Sequence, residues 1–376
     1  VSFPGYGHIR PALGVVEELV RRGHRVTYLA APRFAELAAG AGAEVVTYPS
    51  VFPEPAPPDV VRVTIEFIRE SFAPLKPALA RFDADVPDLF VHDALSSDTA
   101  AILGRKYGGV PKVRLFPGFG GNEHVPLNGS QARPRTQPPA PDHPELAALG
   151  GELGTLLRSL DVEKYAQDGL ASGNDAEHNL VFVPAAFQPS ADKFDERFVF
   201  AGPCLREKDL DAEWSPGDQD APVVLVSLGT SAPRSPEFFR TCAKAFAGQS
   251  WRVVMTLGSS VDPARLGELP PNVTAHRWLP HLAVLRHAKV LVCQAGTGSV
   301  MEALYRGVPL VVIPRSPDSF AIAERVVELG LGRALDAGAL TPAALNAMVR
   351  EVAADRGILA KVTEFGKAVR ACGGVR

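Results

Sequence analysis

Apolar residues fall along this chain in two alternating rhythms. Short runs rich in Val, Ile, Leu and aromatic residues read as strands at 25–30, 44–48, 88–92 and 112–116, and again at 223–227, 252–256, 273–276, 289–293 and 310–313. Between them lie stretches with apolar positions three and four apart, such as 12–22, which Gly23 ends, and a last one over 358–372. Strand–helix alternation predicts an α/β fold of doubly wound parallel sheets with helices on both faces. A length of 376 residues suits two such domains. The acidic, turn-rich run 207–221 has no apolar period and reads as a linker. It separates an N-terminal Rossmann-like domain (1–206) from a C-terminal one (222–376). A second break at about 122–144, rich in Pro, Gly and polar residues, reads as a substrate-facing loop or as an excursion without function.

Composition narrows the partners. A net charge of −3 with 22% charged residues lacks the basic excess of a duplex-binding surface, so nucleic acid is not expected. No apolar run approaches the ~20 residues that cross a bilayer. The cysteines, Cys204, Cys242, Cys293 and Cys372, have neither metal-ligand spacing nor a disulfide framework, and reduced cytoplasmic thiols are expected. The opening Val1-Ser2-Phe3 reads as the end of a strand, with a few residues expected ahead of it. Self-association as a homodimer stays open.

Two places carry chemistry. The strand at 289–293 runs into Gln294, Ala295, Gly296, Thr297, Gly298 and Ser299, where a helix opens. A helix N-terminus offers unpaired N–H groups and the positive end of the dipole, and small residues let a phosphate approach. Ser299 and Glu302 also have capping-box spacing, which would satisfy those groups with no ligand. Near the start, His8 lies in a Gly-rich loop between Gly7 and Pro11, and imidazole titrates close to neutrality, as a general base should. Asp93 ends another apolar strand and could orient that ring, or could cap the helix after it. His92 should point to the opposite face and is left out of the site. The turns at Pro4–Pro11 and Gln294–Val300 rhyme, so two facing domains would line a cleft with their ligand loops.

Gly7-His8 with Pro11, His92-Asp93, Val-Ser-Leu-Gly-Thr at 226–230, Leu-Pro-Pro-Asn-Val at 269–273, Trp-Leu-Pro-His at 278–281, the run 296–309 and 325–332 recur here in order. Together they resemble the inverting nucleotide-sugar glycosyltransferases of the GT-B fold, in the bacterial branch that glycosylates macrolides, enediynes and other secondary metabolites. The resemblance implies transfer of a (deoxy)sugar from a dTDP- or UDP-sugar co-substrate to a hydroxyl of a hydrophobic small molecule, with no cofactor and no metal. It makes His8 the base and Asp93 its partner. Donor contacts fall to Thr230, Gln294, Gly296, Thr297, Gly298, Ser299 and Asp318, with Trp278 stacked on the base and Glu302 on the ribose. Ser227 is a further candidate or a turn residue. Acceptor walls are expected from Phe52, Phe72, Phe116 and Phe119, with Phe67 assigned to the core. A nucleotide-sugar-binding helper protein and a nucleotide-sugar epimerase of related fold are the alternative readings. The chain departs from the family at Gln294-Ala295-Gly296, where His-Gly-Gly is common. It departs again at Arg315, and at Ser319 after Asp318, where Gln is common. A neutral amide at 294 handles phosphate less strongly than a charged ring, and Ser319 leaves room for a donor with fewer hydroxyls or is loop drift.

Overall fold

In the second half of the chain the central strands are largely apolar and buried along most of their length. Val223–Ser227 has no exposed residue, as expected for a parallel strand covered by helices above and below. The computed structural model describes residues 1–53, 57, 59–125, 143–166, 176–217, 221–229, 235–258 and 261–375. All nine expected strands form, each within two residues of its expected ends: β1 (Thr27–Ala30), β2 (Glu44–Thr47), β3 (Phe90–Asp93), β4 (Lys112–Phe116), β7 (Val223–Ser227), β8 (Arg252–Thr256), β9 (Val273–His276), β10 (Ala288–Cys293) and β11 (Leu310–Val312). Three more were missed: β5 (His178–Val181), β6 (Phe198–Phe200) and β12 (Gly332–Ala334). Each has only three or four residues, too few to establish a period.

The chain divides into two compact units, one built from Val1–Phe182 and Ser190–Phe200, the other from Val183–Pro189 and Ala201–Gly374. The described residues of the expected linker, 207–217 and 221, fall within the range of the second unit. The start of the linker coils into the short helix Glu207–Leu210, and the Leu210 carbonyl accepts from the guanidinium groups of Arg286 and Arg306. Those contacts tie a polar, aperiodic segment down. Most of the expected break at 122–144 lies outside the described residues.

In the first unit β1 pairs with β2, and β3, β4, β5 and β6 form a parallel sheet in that order. The first residues run beside β3. The Val1 amine donates to the Val91 carbonyl at 2.8 Å, and the Asp93 amide donates to the Val1 carbonyl at 2.9 Å. The helix Tyr6–Arg21 then buries Ile9, Leu13 and Val16 against Tyr28, Phe34, Leu75 and Phe90. In the second unit all pairings are parallel, in the order β12-β11-β10-β7-β8-β9. The chain grows one way from β7 through β8 to β9, and the other way from β10 through β11 to β12. The switch point lies between β7 and β10, where Ser227 stands opposite Cys293. Diverging connections leave a crevice at the strands' carboxyl ends there. Among the described residues no helix is long and apolar enough to cross a membrane.

A polar row crosses the first sheet where the pattern predicts apolar residues. His92, Arg114 and Asn179 stand in register on β3, β4 and β5, and all three are buried. Arg114 donates from Nε to Asn179 Oδ1 at 2.9 Å. His92 Nδ1 lies 3.0 Å from the Asp93 carbonyl, which can only accept, so that nitrogen carries the proton. Among the described residues His92 Nε2 has no hydrogen-bond partner. Burial pushes the His92 imidazole down to about 4, whereas an unfolded chain protonates it near ~6.5. Between those values the unfolded state holds more protons, so this contribution is complete above about 6.5 and falls as the pH drops towards 4. Urea unfolding of the protein is expected to show stability about 2 kcal/mol lower at pH 5 than at pH 7. His92→Leu should remove most of that difference, and an unchanged pH dependence would contradict the assignment.

Candidate active site

His8 sits in the first turn of the Tyr6–Arg21 helix, not in a loop as its glycine neighbours suggested. Gly5 opens the helix, and its carbonyl accepts from the amides of His8 and Ile9 at 2.9 Å. Pro11, further along, has no N–H to offer the Gly7 carbonyl, but the helix continues through it. The neighbouring Val1–Phe3 segment and β3 run parallel, so the helix entered after Phe3 begins near the end of β3. His8 Nδ1 is 2.8 Å from Asp93 Oδ2. Asp93 is 1% exposed and the His8 side chain 29%, so the pair has a buried acid behind a ring that reaches the surface. Asp93 Oδ1 accepts from the Leu95 amide at 2.8 Å, capping the turn Ala94–Ser96. One Asp93 oxygen therefore faces the His8 ring and the other the turn after β3, while the helix beginning at Ser97 has Ser96 at its N-cap. A carboxylate accepts, so Nδ1 carries the proton and Nε2 the lone pair.

Aromatic rings continue from the histidine. Phe3 stands edge-on to the His8 ring with centroids 5.1 Å apart, and Phe52 and Phe67 lie 4.9 and 5.2 Å from Phe3. Phe52 and Phe67 also touch each other at 4.9 Å. Both are half-buried. Three of the four expected wall residues are buried. Phe72 is interior, one heptad after Ile65 on the buried stripe of its helix, Val60–Phe72. Phe116 is 2% exposed beneath Phe198, and Phe119 is buried as well. Phe67, assigned to the core from its helical spacing, is less buried than Phe119, because helix periodicity says which stripe is apolar and not how deeply each member lies. Glu70, which no motif singled out, is a buried acid gathering four donors beside this cluster.

In the second unit the turns after β7 and β10 emerge side by side. Gln294 is buried, and a Cβ added at Gly229 would lie 3.4 Å from its Nε2, so the amide spans the neighbouring turn. Gly229 has φ +65. Ser227 accepts from the Gly229 amide at 3.2 Å, which shapes that turn. Thr230 lies outside the described residues. Ala295 is fully buried at φ +64, a left-handed conformation that costs an alanine about 1 kcal/mol relative to the right-handed one. Gly296 is the N-cap of the helix Thr297–Arg306, so the amides of Thr297, Gly298 and Ser299 form its first turn with no side-chain cap among the described residues. Ser299 and Glu302 thus lie inside the helix, and the alternative capping box does not form. Glu302 instead stands 3.5 Å from His281 Nδ1, and the other His281 nitrogen is 2.9 Å from the Thr256 hydroxyl.

Trp278, just past β9, is 64% exposed. Asp318 is exposed in the first turn of the helix Pro317–Glu328. Ser319 is not beside an open space: it is buried, and its hydroxyl accepts from the amides of Arg315 and Ser316 at 2.9 and 2.8 Å while donating to the Ser316 carbonyl. Its departure from the family is accounted for locally, as the lock of that turn. The Arg315 guanidinium lies 5.3 Å from the Phe238 ring.

Comparison with known proteins agrees with this architecture. Residues 247–370 match the family model described as erythromycin biosynthesis protein CIII-like, C-terminal domain. The NDP-glycosyltransferase YjiC of Bacillus licheniformis is 31% identical over 99% of this chain and 93% of its own. The oleandomycin glycosyltransferase of Streptomyces antibioticus is 35% identical over 89% of this chain and 78% of its own. The crystal structure of CalG4, the calicheamicin glycosyltransferase, superimposes with a TM-score of 0.84 at 39% identity, covering 100% of this chain and 93% of that one. The chain belongs to the antibiotic glycosyltransferases of the GT-B fold.

Proposed function

We propose that this glycosyltransferase inverts the anomeric carbon in one displacement, moving a sugar from a dTDP- or UDP-sugar to a hydroxyl of a hydrophobic natural product, with His8 as general base. The observation that carries the reading is the 2.8 Å pair of His8 and Asp93. Asp93 accepts the hydrogen bond from Nδ1, which fixes the tautomer with its lone pair on Nε2 and offsets the positive charge when the ring becomes imidazolium. In the transfer, Nε2 removes the acceptor hydroxyl proton as that oxygen bonds to the anomeric carbon. The bond from that carbon to the diphosphate oxygen breaks, and its electron pair leaves with the nucleotide. Attack opposite the leaving group gives inversion.

The second unit supplies the donor's end. Charge grows on the leaving diphosphate, and the uncapped amides of Thr297, Gly298 and Ser299 with their helix dipole suit it. Gln294 adds a neutral amide donor, and the exposed Trp278 suits base stacking. Glu302, held near His281, is the ribose acceptor, and Asp318 and Thr230 complete the donor contacts. The name NDP-glycosyltransferase carried by the Bacillus licheniformis relative supports a nucleotide-sugar donor, and the antibiotic names of the others support a large apolar acceptor. Of the expected walls, Phe52 is the one whose contact with Phe3, the ring against His8, favours that role, with Phe67 beside it.

Sugar nucleotides offered with polyketide aglycones, read by mass spectrometry, should yield a glycosylated acceptor and free nucleoside diphosphate. Release of free or epimerised sugar without acceptor would reject the reading. His8→Ala should slow transfer by about 10³-fold while nucleoside diphosphate affinity, measured by calorimetry, stays within about twofold. Equal rates in the two proteins would remove the base from the scheme. Gln294→His should tighten nucleoside diphosphate about fivefold, from roughly 1 kcal/mol of added charge assistance. A loss of affinity would show that the residue 294 side chain is not directed at the diphosphate.

A further inference from the structure

The carboxylate of Glu70 is 2% exposed on the Val60–Phe72 helix. A buried acid persists only where donors replace its hydration, and here four converge. Tyr48 donates to Oε1 at 2.9 Å. The Ser50 hydroxyl and the amides of Val51 and Phe52 donate to Oε2 at 3.1, 2.8 and 2.9 Å. Burial and the adjacent carboxylate hold the Tyr48 phenol well above its ordinary range, so it keeps the proton it donates. These donors belong to the chain just past β2, which ends at Thr47 and leaves the Val51 and Phe52 amides with no ladder partner. One side chain thus takes the place of a neighbouring strand. The result is a fixed position for Phe52, whose ring meets Phe3 and Phe67, with Phe3 against the His8 imidazole.

We propose that Glu70 is a positioning residue for the acceptor. By pinning the segment after β2 to the Val60–Phe72 helix, it sets Phe52 beside Phe67 as an aromatic face continuous with the base, and a flat apolar acceptor lies on that face with its hydroxyl towards His8. The proposal rests on the transfer function above, but is read separately from it. Glu70 touches neither reacting atom, so its signature is a split between the two substrates.

The experiment measures transfer from UDP-glucose and dTDP-glucose to 4-methylumbelliferone, a flat phenol, together with equilibrium binding of that phenol in the absence of donor. Glu70→Ala and Phe52→Ala should each raise the acceptor KM about tenfold, the loss of one good aromatic contact and its pre-ordering, with donor KM and kcat within about twofold. Glu70→Gln keeps one acceptor oxygen and should recover part of the loss. Ser50→Ala deletes one donor without touching the buried acid and should raise the acceptor KM about threefold, so the network is read even where Glu70→Ala does not fold. An unchanged acceptor KM in Phe52→Ala or Ser50→Ala, or a donor KM that rises in step in the Glu70 variants, overturns the proposal. If the wild-type protein transfers sugar to no acceptor, the transferase scheme fails on its own. The Glu70 proposal is then decided by phenol binding, and falls if wild type and Phe52→Ala bind alike.

Discussion

The buried carboxylate of Asp93 is the constraint on which the arrangement around His8 depends. Both oxygens are committed, one to the Leu95 amide and one to the His8 ring. The amide bond fixes the carboxylate in space, because it closes the turn just after β3. A ring hydrogen-bonded to a fixed acceptor has one tautomer and one orientation, which is the state that the proposed base needs. The backbone contributes as well: the Asp93 amide is held by the Val1 carbonyl, so the chain that leads into His8 also steadies its partner.

In the second unit the corresponding constraint is topological. Strand order alone places the turns after β7 and β10 beside each other, and no side chain has to bring them together. Side chains then refine the place. Ser227 shapes one turn, Gln294 spans towards it from the other, and Gly296 starts the helix without a cap that would compete with an anion. The His281, Thr256 and Glu302 chain links β8 to two helices and limits where the Glu302 carboxylate can go.

Much of this was legible in the sequence, and the reasons differ from residue to residue. Strands such as Val223–Ser227 declare themselves because burial on both faces demands unbroken apolar runs. The pairing of His8 with Asp93 was legible because Asp93 closes an apolar strand and His8 opens a helix, both at places where topology concentrates functional groups. Depth was not legible. Phe72, Phe116 and Phe119 have the same aromatic character as Phe52, and only the packed structure separates them. Glu70 was invisible because its partners are two main-chain amides and two hydroxyls, which leave no spacing motif. The Ser299 and Glu302 pair looked like a cap because the rule depends on where the helix begins, and Gly296 starts it earlier.

Ala295 occupies the left-handed region where the family commonly has glycine. A glycine at this position would leave the β10 turn more backbone conformations to choose from. A methyl group prunes those conformations in the unfolded and the unliganded chain alike. The strain is thus met once, during folding, and the three amides that open the next helix wait in a single arrangement. The turn that follows the neutral Gln294 is thus held in one backbone conformation by its own residue.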